Sequence, residues 1–123
     1  MKTILIVDDD PDVLDSLKRI LRVNEYRVFT ASNGEECLEK VNEHNPDLIL
    51  LDIMMPGMPV DDVVKQIRET KIAFISIVRA SDAQIRGLCS QKNVVGFFQK
   101  PFDVSDLVEK VELILGTDEE SIQ

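Results

Sequence analysis

Five short apolar runs, at 3–7, 27–31, 48–52, 73–78 and 94–98, alternate with amphipathic stretches along this 123-residue chain. Runs of that length in β-favouring residues read as strands, and the stretches between them are long enough for helices. In the first helical stretch, Val13, Leu14, Leu17, Ile20 and Leu21 form one stripe behind Asp10-Pro11, an N-cap and first-turn pair. In the second, Cys37, Leu38 and Val41 follow Asn33-Gly34 and stop at Asn45-Pro46. Val60, Val63, Val64 and Ile67 make a third stripe. The fourth, after Ser81, has only Ile85, Leu88 and Cys89 around a helix-weakening Gly87. The fifth runs from Val104 through Leu107, Val108, Val111, Ile114 and Leu115 to Gly116.

Five strand–helix pairs predict an α/β fold, a three-layer, doubly wound, five-stranded parallel sheet with helices on both faces. The strand order expected for five strands is the flavodoxin-like 2-1-3-4-5. The expected domain spans 1–116, followed by a flexible acidic tail over 117–123. In that order the chain reverses direction between the first and third strands, and ligands bind outside the carboxyl ends of the strands at such a switch point.

Three runs stop abruptly at charge: Ile4 to Val7 at Asp8-Asp9-Asp10, Leu48 to Leu51 at Asp52, and Phe97-Phe98-Gln99 at Lys100-Pro101. On neighbouring strands about 4.8 Å apart, carboxylates at matched ends repel by roughly 4 kcal/mol per pair at an effective dielectric near 20. Such a cluster calls for a cation or a raised pKa. Hard oxygen donors favour magnesium or manganese over zinc. Taken singly, each charged end also reads as an ordinary loop or cap; their convergence on one sheet edge is what points to a site.

Composition narrows the rest. The net charge is −9, with 14 basic and 23 acidic residues and no basic cluster, which argues against direct nucleic-acid binding. No apolar run is long enough to span a membrane and no signal peptide precedes the first strand, so a cytoplasmic location without membrane insertion is expected. Cys37, Cys89 and the single histidine, His44, have no metal-ligand spacing. The cysteines are expected as small buried apolar groups, and His44 as a solvated residue near a helix C-terminus.

From Lys2 to about Leu115 the chain resembles a response-regulator receiver domain. The resemblance is carried by Ile-Leu-Ile-Val-Asp-Asp-Asp-Pro (4–11), Pro-Asp-Leu-Ile-Leu-Leu-Asp-Ile-Met-Met-Pro-Gly-Met (46–58), Ile67-Arg68-Glu69 and Gly-Phe-Phe-Gln-Lys-Pro-Phe (96–102). It implies that Asp52 accepts a phosphoryl group from a histidine kinase or phosphotransfer protein. It implies Mg2+, replaceable by Mn2+, held by Asp9 directly, Asp8 through water, Asp52, and the backbone carbonyl of Met54. Lys100 would pair with Asp52 and then with the phosphoryl oxygens, across a cis Lys100-Pro101 peptide. Phe97 occupies the aromatic-switch position. The fourth and fifth helical stretches and the fifth strand would form the readout surface for a downstream protein, in a monomer or weak dimer. No output segment follows Leu115 in this sequence, which suggests a stand-alone, chemotaxis-type receiver or a piece of a longer protein.

Two positions depart from that pattern. Where a Thr or Ser usually ends the fourth strand, the run Phe74 to Ala80 puts Arg79, and Ser76 is set aside because three residues along a strand reverses the facing. Arg79 would clamp the phosphoryl oxygens, or neutralise the acidic cluster without phosphate, or point into solvent; the residues leave all three open. Val60 stands where a glycine often begins the third helix, so a differently shaped loop after Asp52 is expected. A pseudo-receiver that binds partners without phosphate is the alternative that Arg79 raises. A magnesium-dependent phosphatase would want a carboxylate where Met54 stands, and flavin binding lacks a phosphate-cradling loop after the first strand.

Overall fold

The computed structural model describes residues 1–55, 57–76, 87 and 90–116. Five strands, β1 (Thr3–Val7), β2 (Arg27–Ala31), β3 (Leu48–Asp52), β4 (Lys71–Ser76) and β5 (Val94–Gln99), form one sheet in the order β2-β1-β3-β4-β5. Every pairing is parallel. Four helices are seen among the described residues: α1 (Pro11–Val23), α2 (Gly34–His44), α3 (Val60–Gln66) and α4 (Val104–Leu115). The predicted fold class and strand order are both observed.

Local chemistry explains the boundaries. The Asp10 side chain accepts from the Asp12 N–H and Pro11 sits in the first turn, so α1 starts where the sequence places it. Asn33 caps α2 by accepting from the Glu36 N–H, and Asn45, in the left-handed region at φ 44, ends it. Asp103 caps α4 through the Ser105 and Asp106 N–H groups, and Gly116 closes it at φ 71.

β1 and β3 are buried throughout, as central strands of a parallel sheet covered on both faces must be. Alternation divides their side chains between two cores. On one face Ile4, Ile6, Leu48, Leu50, Ala73, Ile75 and Phe98 pack with Leu17 and Leu21 of α1 and with Leu107 and Val111 of α4. On the other, Leu5, Val7, Ile49, Leu51, Ile72 and Phe74 pack with Cys37 of α2 and Val60, Val63 and Val64 of α3. Each fully buried aliphatic or aromatic side chain contributes roughly 1.5–3 kcal/mol.

Two strands differ from their reading at one end. β4, expected over 73–78, starts earlier because Lys71 already pairs with Leu48, and is seen over Lys71–Ser76 with 77 and 78 outside the described residues. β5, expected over 94–98, runs on to Gln99, which pairs with Ser76. The charge at the head of β4 is no obstacle: the Lys71 ammonium reaches the Ile114 carbonyl at the end of α4, 3.1 Å away. The fourth helical stretch, apart from Gly87, lies outside the described residues, as do Cys89 and the 117–123 tail.

Candidate functional site

Asp8 directly follows β1, Asp52 ends β3, and Lys100 directly follows β5. In the β1–β3 register Val7 lies beside Leu51, which brings Asp8 and Asp52 together at the edge. Both follow residues of the α2/α3 face, so both carboxylates turn to the α1/α4 face. Lys100, two residues beyond Phe98 of the α1/α4 core, turns the same way.

The contacts are close. The Lys100 ammonium donates to Asp8 Oδ2 at 2.7 Å and lies 3.8 Å from Asp52 Oδ2. The resemblance pairs Lys100 with Asp52; here its shorter contact is to Asp8. The other Asp8 oxygen accepts from the Asp10 N–H at 2.9 Å, and Asp52 Oδ1 accepts from the Met54 N–H at 3.0 Å. Asp8 and Asp52 are buried, whereas Asp9 is exposed. The Lys100-Pro101 peptide is cis.

Burial pushes the Asp52 carboxyl up to about 6 from its ordinary 3.8. The Met54 N–H and Lys100 oppose that rise, Asp8 and Asp9 reinforce it, and burial prevails. A proton or a cation thus relieves the site. Asp8, Asp9 and Asp52 each offer a carboxylate oxygen, and these oxygens lie within 4.8 Å of one another. An all-oxygen donor set of this kind fits magnesium or manganese.

Other expected residues fall into place unevenly. Phe97 is half-buried against the α2/α3 core, on the face opposite Lys100. Met54 is exposed in the loop after Asp52. Val60 is buried at the start of α3, a helix of seven residues whose N-cap, Pro59, makes no side-chain capping bond. Arg79 lies outside the described residues. Ser76, set aside in the sequence, is fully buried as the last residue of β4, beside Gln99. Its carbonyl accepts from the Lys100 N–H at 2.8 Å. It shares the facing of Ile72 and Phe74 of the α2/α3 core, so its side chain faces away from Asp8 and Asp52. Cys37 is a free, buried thiol pushed up to about 12 by burial, an inert packing group. His44 is not simply solvated: its ring stacks on Phe29, centroids 3.7 Å apart.

Residues 4–112 match the family profile described as the response regulator receiver domain. The chain is 36% identical over 120 residues to the alkaline phosphatase synthesis transcriptional regulatory protein PhoP of Bacillus subtilis, covering 96% of this chain and 50% of that protein. It is 36% identical over 116 residues to the transcriptional regulatory protein PrrA of Mycobacterium tuberculosis, covering 91% and 49%. The chain therefore spans about half the length of the curated relatives it matches. Among solved structures, response regulator TrrA of Thermotoga maritima, in complex with Mg(2+)-BeF, is 36% identical with a TM-score of 0.78, covering 94% of this chain and all of that one. Chemotaxis protein CheY4 of Vibrio cholerae is 26% identical with a TM-score of 0.84, covering 94% and 99%. Sheet order, the acidic edge and a profile running nearly end to end agree, and the chain belongs to the response regulator receiver domain family of two-component systems.

Proposed function

We propose that this receiver accepts a phosphoryl group on Asp52 from a histidine kinase or phosphotransfer protein and passes the change to a downstream protein. The observation that carries this is the juxtaposition of a buried carboxylate with two further carboxylates and one ammonium at the switch point of the sheet. An Asp52 carboxylate oxygen attacks the phosphorus of a phosphohistidine; the new P–O bond forms as the P–N bond breaks. The electron pair of the P–N bond stays on the departing imidazole nitrogen, as the lone pair of a neutral imidazole whose other ring nitrogen bears the proton. Lys100, freed in part from Asp8, neutralises the charge arriving on the phosphoryl oxygens.

Asp8, Asp9, Asp52 and the Met54 carbonyl would hold Mg2+, or Mn2+ in its place, which supplies charge neutralisation when bound. The domain is taken as 1–116, and its location as cytoplasmic; no helix among the described residues is long and apolar enough to cross a membrane. Phe97 would report the modification through burial of its ring, beside a readout surface that includes β5 and α4.

Titration of magnesium and beryllofluoride into the protein tests this reading. The expected result is beryllofluoride binding that requires magnesium and is lost in Asp52→Asn. Binding that ignores either the metal or the substitution would overturn it, and no binding to the wild type would favour a phosphate-independent binding module.

A further inference from the structure

β5 does not keep one register. Ile72 pairs with Val94, but Ala73 pairs with Gly96, which leaves Val95 as an extra residue in the strand. Burial records the same break independently. Val94 and Phe97 both pack against the α2/α3 core although they are three residues apart, while Phe98 belongs to the α1/α4 core. In an unbroken strand, residues an odd number apart face opposite ways. Phe98 and Lys100 would then share the face of Val94, away from Asp8 and Asp52. The extra residue is what turns Lys100 toward the carboxylates, as bulges re-aim side chains elsewhere.

A one-residue slip would erase the bulge unless the strand is fixed ahead of it. Asn93, buried at the head of β5, supplies that fixing. Its Nδ2 donates to the Ile67 and Thr70 carbonyls, each at 2.7 Å, and its backbone carbonyl accepts from the Ile72 N–H at 2.8 Å. Its Oδ1 accepts from Gln91 Nε2 at 2.8 Å, and that amide also reaches the Val64 and Ile67 carbonyls at 2.9 Å. These carbonyls lie at the end of α3 and in the turn into β4. A slip would carry Asn93 about 3.3 Å along the strand and strip these buried acceptors of their donors.

We propose that Asn93 is a positioning residue for Lys100: it pins the head of β5 so that Val95 must be absorbed as a bulge, and that register delivers the ammonium to the Asp8 and Asp52 carboxylates. The proposal rests on the reading of Asp52 as phosphoryl acceptor and Lys100 as its partner. The test is a double-mutant cycle on the full chain, following adduct formation from acetyl phosphate with magnesium, with rates normalised to the folded fraction by circular dichroism. Asn93→Ala is expected to slow the reaction about tenfold or more in the wild-type background. In a Lys100→Ala background it is expected to change the rate by no more than about twofold, because its route of action is already gone. Equal losses in both backgrounds, or no loss in the first, overturn the proposal. Should Asn93→Ala not fold, Gln91→Ala enters the same cycle, with a smaller loss expected and the same two outcomes deciding.

A second readout needs no phosphoryl transfer. The lysine 15Nζ signals of the wild type should include one that shifts in Asp8→Asn, and that response should vanish in Asn93→Ala. If the response persists, Asn93 does not place Lys100, whatever the kinetics show. If it vanishes while the wild type takes up no phosphate, the functional reading fails and the positioning role stands.

Discussion

At the scale of single residues, Asp52 is held under tension by its surroundings. Its carboxyl titrates near 6 because burial, reinforced by Asp8 and Asp9, outweighs Lys100 and the Met54 N–H. An acid whose pKa is raised on folding binds its proton more tightly in the folded state than in the unfolded one. Its contribution therefore favours folding at low pH and is lost as pH rises from 3.8 through about 6. The shift corresponds to about 3 kcal/mol of destabilisation above that window. Asp52→Asn, which removes the desolvated charge, is expected to stabilise the metal-free protein at pH 7 by about 1–3 kcal/mol. Urea denaturation at pH 7 and below pH 4 checks this, and the gain should disappear at the lower pH. A variant less stable than wild type at pH 7 would mean that the Lys100 attraction outweighs the cost of burial.

At the scale of elements, the loop after Asp52 leads into a helix that is short, lacks a side-chain cap at its start and is braced from the side. A Cβ built on Gly34 would come within 2.6 Å of Val63 Cγ2, so α2 and α3 meet where only glycine fits. Gly34→Ala is expected to push α3 outward and cost about 1–3 kcal/mol, visible as a lowered thermal midpoint. At the end of β4, Ser76 stands beside Gln99 and bonds Lys100 through the backbone. Its side chain shares the facing of Ile72 and Phe74, away from Asp8 and Asp52, so Ser76→Ala is expected to leave the lifetime of the phosphoryl adduct unchanged, as followed by intact mass over time. A changed lifetime would assign the Ser76 hydroxyl a part in the site.

These elements also mark how far the sequence can be read. Asp8, Asp52 and Lys100 were legible because each terminates an apolar run, and a parallel sheet of this order gathers such ends at one edge. Helix boundaries were legible from Asp10-Pro11, Asn33-Gly34 and Gly116, whose chemistry is local. The bulge at Val95 was not: Val94-Val95-Gly96-Phe97-Phe98 reads as one unbroken strand, and its register is set by amides reaching distant carbonyls. The start of β4 was not legible for a related reason. Lys71 joins the strand by pairing with Leu48, and its ammonium reaches an α4 carbonyl, tertiary facts invisible in its neighbours.

At the scale of the whole molecule, two apolar cores fix the sheet rigidly while its carboxyl edge concentrates negative charge in a protein already at −9. A cation that binds only the folded edge stabilises the fold by mass action. Millimolar magnesium is therefore expected to raise the thermal midpoint of the wild type, and to raise that of Asp8→Asn less. Equal shifts would place the metal elsewhere. The central claim is that Asp52 takes the phosphoryl group with Lys100 and the carboxylates beside it. Intact-mass analysis after incubation with magnesium and acetyl phosphate tests this most directly. The expected result is a single phosphoryl adduct on the wild type, absent from Asp52→Asn and strongly reduced in Lys100→Ala; an adduct that persists in Asp52→Asn, or none on the wild type, would contradict it.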